Sequence, residues 1–104
     1  MNKYHAVKTA FGSRVYDSKK EAARAQELTL MVRAGVISEL ECQVKYPLEV
    51  NGLKIGDYVC DFQYTEKGET VVEDVKSPMT AKLPLYRWKK KHMKAQYGID
   101  IIEV

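Results

Sequence analysis

The chain has 104 residues, of which 45% are hydrophobic and 30% are charged, and its net charge is +3. This length suits one domain, and the composition excludes collagen-like, low-complexity and disordered proteins. No apolar run approaches the roughly 20 residues that span a bilayer, and residues 1–10 lack the apolar stretch of a secretory signal. We therefore expect a single domain over residues 1–104, with residues 1–10 as a flexible arm and no membrane partner.

The cysteine content argues against a disulfide-rich scaffold and against a zinc-binding protein. Cys42 and Cys60 lie in apolar, strand-like runs, where a free cysteine acts as a small hydrophobic residue. Two cysteines do not make a disulfide scaffold, and the chain lacks the CxxC spacing that would indicate zinc. The cytoplasm, which is reducing, is therefore the expected location.

A helix is expected after a short strand at residues 14–16. Ser18 is a good N-cap residue, and Glu21 stands three positions later, which is the spacing of a capping box. Gly35 is the C-terminal stop, so the predicted helix covers residues 19–34. Its apolar stripe is formed by Ala22, Ala25, Leu28, Met31 and Val32.

Three strands joined by two tight turns are expected next. Asn51-Gly52 and Lys67-Gly68 have the turn chemistry of hairpins. Pro47 cannot donate a ladder hydrogen bond and therefore indicates a sheet edge or a bulge. The predicted strands cover residues 40–50, 57–64 and 70–76, and Ser77-Pro78 ends the third.

A second helix and a last strand complete the predicted fold. The helix is expected over residues 82–96, with Thr80 as its N-cap. Pro84 falls in its first turn, where proline is tolerated, and Gly98 ends it. Residues 99–104 then form a strand. The order helix, three-stranded meander, helix and strand predicts an α/β or α+β fold, with a mixed central sheet flanked by helices.

Two carboxylates face each other across the second predicted hairpin. If Lys67-Gly68 is a two-residue turn, Asp61 lies directly opposite Asp74, with the Cβ atoms roughly 4.5–5.5 Å apart. Like charges in that position destabilise a sheet, and a divalent cation between them removes the repulsion. Mg²⁺ is typically held by one or two carboxylates together with water and substrate phosphate. The alternative is a solvated hairpin with surface carboxylates and no metal.

Neighbouring residues extend this interpretation. Strand alternation places Lys76 on the same face as Asp74, where a lysine can position an attacking water and offset phosphate charge. Glu73 falls on the opposite face, where solvation is its expected role. Glu21 heads the apolar stripe of the first helix and would face the core, where a carboxylate needs a partner. The alternative for Glu21 is a local capping box with Ser18.

The hairpin sequence resembles the paired motifs of the PD-(D/E)XK nuclease superfamily. The run YVCDF carries Asp61 at the first acidic position, and the run EDVK carries Asp74 and Lys76 at the (D/E)-X-K element. Glu21, in the run DSKKEA, matches the acidic residue of the preceding helix. The chain departs from the motif at Cys60, which stands in place of a proline.

Over residues 11–104 the chain also resembles a small family of phage-borne proteins assigned to this nuclease fold and related to Holliday-junction-resolvase-type endonucleases. The similar runs are FGSRVYDSKKEAARAQEL, AGVISELECQVKYPL, DYVCDFQYTEKGETVVEDVKS and YGIDIIEV. The resemblance implies a restriction-endonuclease-like core and a DNA endonuclease that depends on Mg²⁺ or Mn²⁺, with no organic cofactor. A phage protein of this kind would act in the cytoplasm of a bacterial host.

The resemblance also implies roles for individual residues. Asp61 and Asp74 would ligate the metal, with the backbone carbonyl of Val75 as a third ligand. Lys76 would position the attacking water. Glu21 would join the site directly or through a metal-bound water.

The resemblance also makes Gln43 a candidate for a residue that borders the site, because some relatives of this fold use a glutamine on the bordering strand. The residues alone also fit a polar side chain on an exposed strand face.

A basic segment follows the hairpin. From residue 76 to residue 94 there are seven Lys or Arg residues and no Asp or Glu, so an anionic partner is expected. Contacts of such residues to a phosphate backbone are independent of base sequence. The alternative is a plain solvated face. By resemblance, Lys90 approaches the scissile phosphate. The six candidate DNA-binding residues are Lys82, Arg87, Lys89, Lys90, Lys91 and Lys94.

The aromatic residues of this helix are expected in the core or in a dimer contact, before any role in base stacking. Tyr86 and Trp88 both fall at helical spacing from other apolar residues. His92 is expected to be packed or solvated rather than a general base.

The sequence thus predicts a Mg²⁺-dependent DNA endonuclease that is selective for DNA structure, such as branched recombination or replication intermediates. The chain has no room for a separate target-recognition domain, which argues against cleavage at a specific base sequence. Coordinated cutting of two strands favours a homodimer. The alternatives are a non-catalytic DNA-binding module on the same fold and a phage–host interaction protein that binds no nucleic acid.

Overall fold

A four-stranded sheet and two helices form most of the fold. The structure is a computed structural model that describes the backbone of residues 9–11 and 14–16 and all of residues 18–104. The elements are β1 (Thr9–Phe11), β2 (Arg14–Tyr16), α1 (Lys19–Arg33), β3 (Ser38–Val50), β4 (Leu53–Glu66), β5 (Glu69–Asp74), a 3₁₀ turn (Thr80–Lys82), α2 (Pro84–Tyr97) and β6 (Ile102–Glu103). The main sheet has the order β3-β4-β5-β6, and β1 pairs with β2 in a separate ribbon.

The ribbon changes one expectation about the start of the chain. Thr9 pairs with Tyr16, so the strand predicted at residues 14–16 is confirmed and residues 9 and 10 belong to β1 rather than to an arm. Residues 1–8 of the predicted arm lie outside the described residues.

Helix α1 begins and ends close to the predicted residues. The Ser18 Oγ accepts a hydrogen bond from the amide of Glu21 at 3.1 Å, which is the predicted cap. Gly35 has a φ of +75° just past the helix, a conformation that suits glycine. The predicted stripe is wrong at Val32, which is 37% exposed. The buried face advances in steps of three from Ala22 through Ala25 to Leu28, so Val32 turns away from the sheet.

The first hairpin joins β3 and β4 through the predicted Asn51-Gly52 turn, where both residues have positive φ. β4 is longer than predicted because Leu53 pairs with Val50 directly after the turn. β3 is an edge strand of the sheet, which confirms the prediction from Pro47. The strand also shifts register between Leu48 and Glu49.

The second hairpin has the predicted turn and register. Lys67 and Gly68 have positive φ, and Phe62 pairs with Glu73 at the far end of the ladder. β5 ends at Asp74 rather than at residue 76. It then pairs in parallel with the short β6, which makes the sheet mixed, as predicted.

Helix α2 starts two residues later than predicted, and Thr80 is not its N-cap. Leu83 holds that position with an extended ψ of 128°, because the proline ring of Pro84 disfavours the helical conformation in the residue before it. Thr80 instead accepts a hydrogen bond from the amide of Ser77 at 2.8 Å in the preceding turn. Gly98 ends the helix with a φ of 70°, as predicted.

The core consists of two clusters. In the first, Phe62 and Tyr64 of β4 pack against the buried face of α1. In the second, Tyr58 and Cys60 of β4 pack with Tyr86 of α2 and other apolar residues. β4 therefore contributes to both clusters, and the residue between its two contributions is Asp61.

Other expectations are settled by burial. Tyr86 is buried as expected, whereas Trp88 is 48% exposed and is not a core residue. Trp88 stacks at a tilt on His92, whose Nε2 lies 3.1 Å from the backbone oxygen of Glu49. Cys42 and Cys60 are free thiols. Within the described residues, neither helix is long and apolar enough to cross a membrane.

Candidate functional site

Asp61 and Asp74 meet where β4 and β5 separate. The ladder ends at the pair Phe62 and Glu73, so the next pair in the same register is Asp61 and Asp74, as predicted. Each carboxylate accepts a hydrogen bond from the backbone of the opposite segment. The amide of Asp61 donates to Oδ1 of Asp74 at 3.0 Å, and the amide of Val75 donates to Oδ2 of Asp61 at 2.8 Å. These bonds hold two like charges together at one edge of the hairpin.

Asp74 is the more strongly perturbed of the two. It is 2% exposed, and the hydroxyl of Tyr58 donates to its Oδ2 at 2.5 Å. Burial and the nearby charge of Asp61 raise the pKa of Asp74 from 3.8 to about 6. The hydrogen bond from Tyr58 and the charge of Lys76 oppose this rise without cancelling it. Ionised Asp74 is therefore incompletely compensated.

Lys76 lies beside Asp74, on the predicted face. Its Nζ is 3.7 Å from Oδ2 of Asp74 and 4.2 Å from the centroid of the Tyr86 ring. The hydroxyl of Tyr86 donates to Oε2 of Glu103 at 2.8 Å. The lysine thus has a carboxylate on one side and an aromatic face on another.

Glu21 and Gln43 connect α1 and β3 to the acidic pair. Glu21 is 5% exposed, although it lies in the first turn of its helix. The Nε2 of Gln43 lies 3.3 Å from Oε1 of Glu21 and 3.3 Å from Oδ1 of Asp61, and it donates to both. The backbone amide of Glu21 is capped by Ser18, whereas its carboxylate has Gln43 as a partner in the site, so the interpretation that the side chain needs a partner there is the one confirmed.

The backbone at Gln43 is unusual. It has a φ of +55° although it lies within β3, a conformation that costs free energy for a residue other than glycine. Gln43 lies opposite Asp61, between the regular pairs Cys42 with Phe62 and Val44 with Cys60. Irregular backbone of this kind is concentrated at functional sites, where the surrounding structure maintains it.

These side chains share one cavity of about 530 Å³. Its polar wall includes all five site side chains that the sequence singled out, Glu21, Gln43, Asp61, Asp74 and Lys76. Val75 also lines it, and Val59, Leu83 and Tyr86 supply apolar surface. Sequence reasoning missed Lys20, whose Nζ donates to the backbone oxygen of Lys76 at 2.7 Å and which also lines the cavity. Its place next to Glu21 was the available signal.

Glu73 is not solvated, which corrects the prediction. It is 1% exposed, and Oε1 and Oε2 accept from Nε and Nη2 of Arg24 at 2.8 and 2.7 Å. The Tyr64 hydroxyl also donates to Oε2. The face that carries Glu73 is covered by α1, so the carboxylate requires a charged partner. The hydrogen bond to Glu73 raises the pKa of Arg24, which therefore stays charged.

The acidic pair has a donor set that fits a divalent cation. Within the described part of the chain, no group of three or more His, Cys, Asp or Glu side chains is arranged to hold a metal ion. Two carboxylates are nevertheless a common protein contribution to a Mg²⁺ site. Each carboxylate oxygen of Asp61 and Asp74 accepts a hydrogen bond, and a carboxylate oxygen can accept more than one partner. The pair therefore fits a cation whose other ligands are water and substrate.

The basic helix lies partly on a second cavity, of about 410 Å³, between α2 and the C-terminal segment. Arg87, Lys90, Lys91 and Lys94 line it, whereas Lys82 and Lys89 do not. Lys90 pairs with Glu103 and Lys94 pairs with Asp100, each at 2.9 Å. The hydrogen bond from Lys90 lowers the pKa of Glu103. Lys90 thus faces the second cavity, and its approach to a scissile phosphate stays a prediction.

The fold and the site define a mixed α+β protein with an acidic, lysine-bearing cavity at the open end of a β-hairpin. Residues 1–101 match the family described as Protein of unknown function (DUF1064), and the chain belongs to that family. No curated protein and no solved structure matches the chain. The family description assigns no activity, so a function has to be argued from the site itself.

Proposed function

We propose that the protein is a Mg²⁺- or Mn²⁺-dependent endonuclease that hydrolyses phosphodiester bonds of DNA, on a core of the PD-(D/E)XK type. One observation carries the proposal. Asp61 and Asp74 meet at the end of a hairpin with Lys76 Nζ 3.7 Å from the buried carboxylate. A structural role alone does not explain why a sheet places two carboxylates together, since like charges there are destabilising.

The site residues divide the reaction among them. Asp61 and Asp74 would hold the cation, and the backbone carbonyl of Val75 would be a further ligand. The bound metal would lower the pKa of a water and polarise the phosphoryl oxygen. Lys76 orients the attacking water and offsets charge on the phosphate. The water would lose one proton to solvent as its oxygen bonds to phosphorus, the P–O ester bond would break, and the departing oxygen would take up a proton from solvent.

Gln43 and Glu21 hold the geometry of this site. Gln43 donates to both Glu21 and Asp61, so it relates α1 to the hairpin. Glu21 adds a third carboxyl group to the cavity wall and would hold a metal-bound water. Together they would fix the direction in which the Asp61 carboxylate faces the cation.

The substrate and the setting follow from charge. The basic residues of α2 suit a phosphate backbone, and contacts to that backbone are independent of base sequence. Selectivity for DNA structure, such as a branch, is therefore proposed over selectivity for sequence. A homodimer would cut two strands in a coordinated way, and a phage-associated protein of this kind would act in the bacterial cytoplasm.

The test is a cleavage assay on linear duplex, single strand, flap and four-way junction with Mg²⁺, Mn²⁺ or EDTA. We expect metal-dependent cutting by the wild type and none by Asp74→Asn. Asp57→Asn is the matched control, because Asp57 lies on β4, pairs with Lys54 and does not line the cavity. No cutting of any substrate with either metal would overturn the proposal.

A non-catalytic DNA-binding module is the second candidate. It is favoured by the lack of a three-ligand group among the described residues and by the backbone amides that donate to each aspartate without a metal. In that case DNA binding would need no metal, and Asp74→Asn would leave affinity unchanged without any cleavage by the wild type. Failure to bind DNA and heparin even at low salt would instead favour a phage–host interaction protein.

A further inference from the structure

We propose that Tyr86 is a positioning residue for Lys76, because its ring, tied to Glu103 of the C-terminal strand, holds the lysine Nζ beside Asp74. The inference rests on the proposed function, in which Lys76 orients the attacking water. It adds a role for an aromatic side chain that the sequence assigned to the core or to a dimer contact.

The contacts form a continuous path. Lys76 Nζ lies 4.2 Å from the centroid of the Tyr86 ring, well within the range of a cation–π interaction. The Tyr86 hydroxyl donates to Oε2 of Glu103 at 2.8 Å, and Lys90 Nζ donates to the same oxygen at 2.9 Å. Tyr86 is buried against Met93 and other apolar residues of the second core cluster, so its ring has little freedom to move.

The C-terminal segment holds the backbone of the same residues. Asp74 pairs with Glu103 in the parallel ladder. The amide of Val104 donates to the backbone carbonyl oxygen of Asp74 at 2.9 Å, and the amide of Lys76 donates to the backbone carbonyl oxygen of Val104 at 3.1 Å. One short segment therefore fixes the main chain of the acidic and basic site residues and also, through Glu103 and Tyr86, the lysine side chain.

The salt bridge to Asp74 does not by itself fix the side chain of Lys76. A lysine has a flexible four-carbon stem and a strongly hydrated charge. The distance of 3.7 Å between Lys76 Nζ and Asp74 Oδ2 is longer than that of a good hydrogen bond. Without the ring, solvated conformations of the side chain compete with the one that faces the cavity. With the ring, the ammonium group stays near the position where the proposed water would sit.

The kinetic test compares Tyr86→Phe, which keeps the ring, with Tyr86→Leu, which removes it. We expect Tyr86→Leu to lower kcat about tenfold, equivalent to about 1.4 kcal/mol, with KM changed less than about twofold. Tyr86→Phe should retain kcat within about threefold. Tyr97→Leu, which removes another tyrosine from α2 that lines neither cavity, should leave kcat unchanged. Equal kcat for the Leu and Phe variants would overturn the inference.

A second measurement does not depend on cleavage. In protein labelled with ¹³C-lysine, the Cε protons of Lys76 should be shifted upfield by the ring, as in Tyr86→Phe, and should lose that shift in Tyr86→Leu. Absence of the shift in the wild type would overturn the inference even if the enzyme cuts DNA. A wild type that cuts no substrate overturns the proposed function and with it the catalytic part of this inference, whatever the spectrum shows.

Discussion

Adjacent residues of β5 show two ways to bury a carboxylate. Glu73 faces α1 and accepts hydrogen bonds from Nε and Nη2 of Arg24 and from the hydroxyl of Tyr64. Asp74 faces the cavity, where its neighbours are another carboxylate, a tyrosine hydroxyl and a lysine 3.7 Å away. Glu73 has a complete partner within the protein, whereas Asp74 does not. The comparison indicates that the α1 face of the strand serves stability, and it supports the proposal that the cavity face binds an external cation.

The largest expected effect is on cleavage. Asp61→Asn and Asp74→Asn should each lower kcat at least about 10³-fold, because each removes a charged ligand of the proposed metal and with it several kcal/mol of transition-state stabilisation. The rates are measured with the DNA structure that the wild type cuts best. Asp57→Asn serves as the control, and a residual rate within about tenfold of the wild type would assign the metal to other residues.

Removing Arg24, the partner of Glu73, should destabilise the fold rather than act on the catalytic step. Arg24→Met leaves Glu73 buried without a countercharge and should lower the free energy of unfolding by about 3–5 kcal/mol. The double variant Arg24→Met/Glu73→Gln should recover part of this loss. Urea denaturation measures both, with the exposed Arg33→Met of the same helix as the control. A loss below about 1 kcal/mol would contradict the structural role given to the Arg24–Glu73 pair.

The stability of the cavity face should also depend on pH. The pKa of Asp74 is raised to about 6, so the folded state binds this proton more tightly than the unfolded chain does. Asp74 therefore adds stability below about pH 4, and this contribution is lost as the pH rises through about 6. Without metal, Asp74→Asn should exceed the wild type in stability by up to about 3 kcal/mol at pH 8 and by little at pH 4.

Denaturation in EDTA at pH 4, 6 and 8 measures this difference. The asparagine side chain of the Asp74→Asn variant is expected to accept the hydrogen bond from the amide of Asp61 through its carbonyl oxygen. Its amide nitrogen replaces the oxygen that faces Tyr58 and can donate to the Tyr58 hydroxyl, so the main change is the loss of charge. A stability difference that is the same at all three pH values would show that packing, not ionisation, separates the two proteins.

The smallest expected effect concerns the basic cavity. Arg87→Ala and Lys91→Ala should each weaken DNA binding a few-fold and lower the salt dependence by about one released ion, since each removes one phosphate contact. Lys67→Ala is the control, because Lys67 lies in the turn at the other end of the β4–β5 hairpin. The test is to measure DNA affinity at several salt concentrations for each variant and the wild type. If the slope of log affinity against log salt concentration is the same in the variants as in the wild type, the DNA binds elsewhere on the surface.

Much of the site could be predicted because it depends on local geometry. Turn residues at Asn51-Gly52 and Lys67-Gly68 set the hairpin registers, and the second register alone brings Asp61 to Asp74. Alternation then places Lys76 beside them, and the capping pattern at Ser18 fixes where Glu21 stands on its helix. These signals act over a few residues, where spacing and propensity decide the outcome.

The remaining features depend on how helices lie on the sheet, which no spacing in the chain specifies. The direction of α1 made Arg24 the partner of Glu73, where only solvent was expected. The packing of α2 exposed Trp88 and set the Tyr86 ring against Lys76. The packing of α2 also brought Lys90 to Glu103 of β6. A basic helix without acidic residues of its own therefore has an acidic partner from a distant part of the chain.

The sequence by itself therefore determined most of the helices and strands, the two hairpin turns and the meeting of two aspartates and a lysine, since period-two alternation and tight turns leave few alternatives. The tertiary structure alone decided which charges are compensated and which are not. That distinction depends on burial and on partners distant in the chain, such as Arg24 for Glu73 and Gln43 for Asp61. Burial makes the energy of a carboxylate depend on its immediate neighbours, and those neighbours are set only when the helices dock.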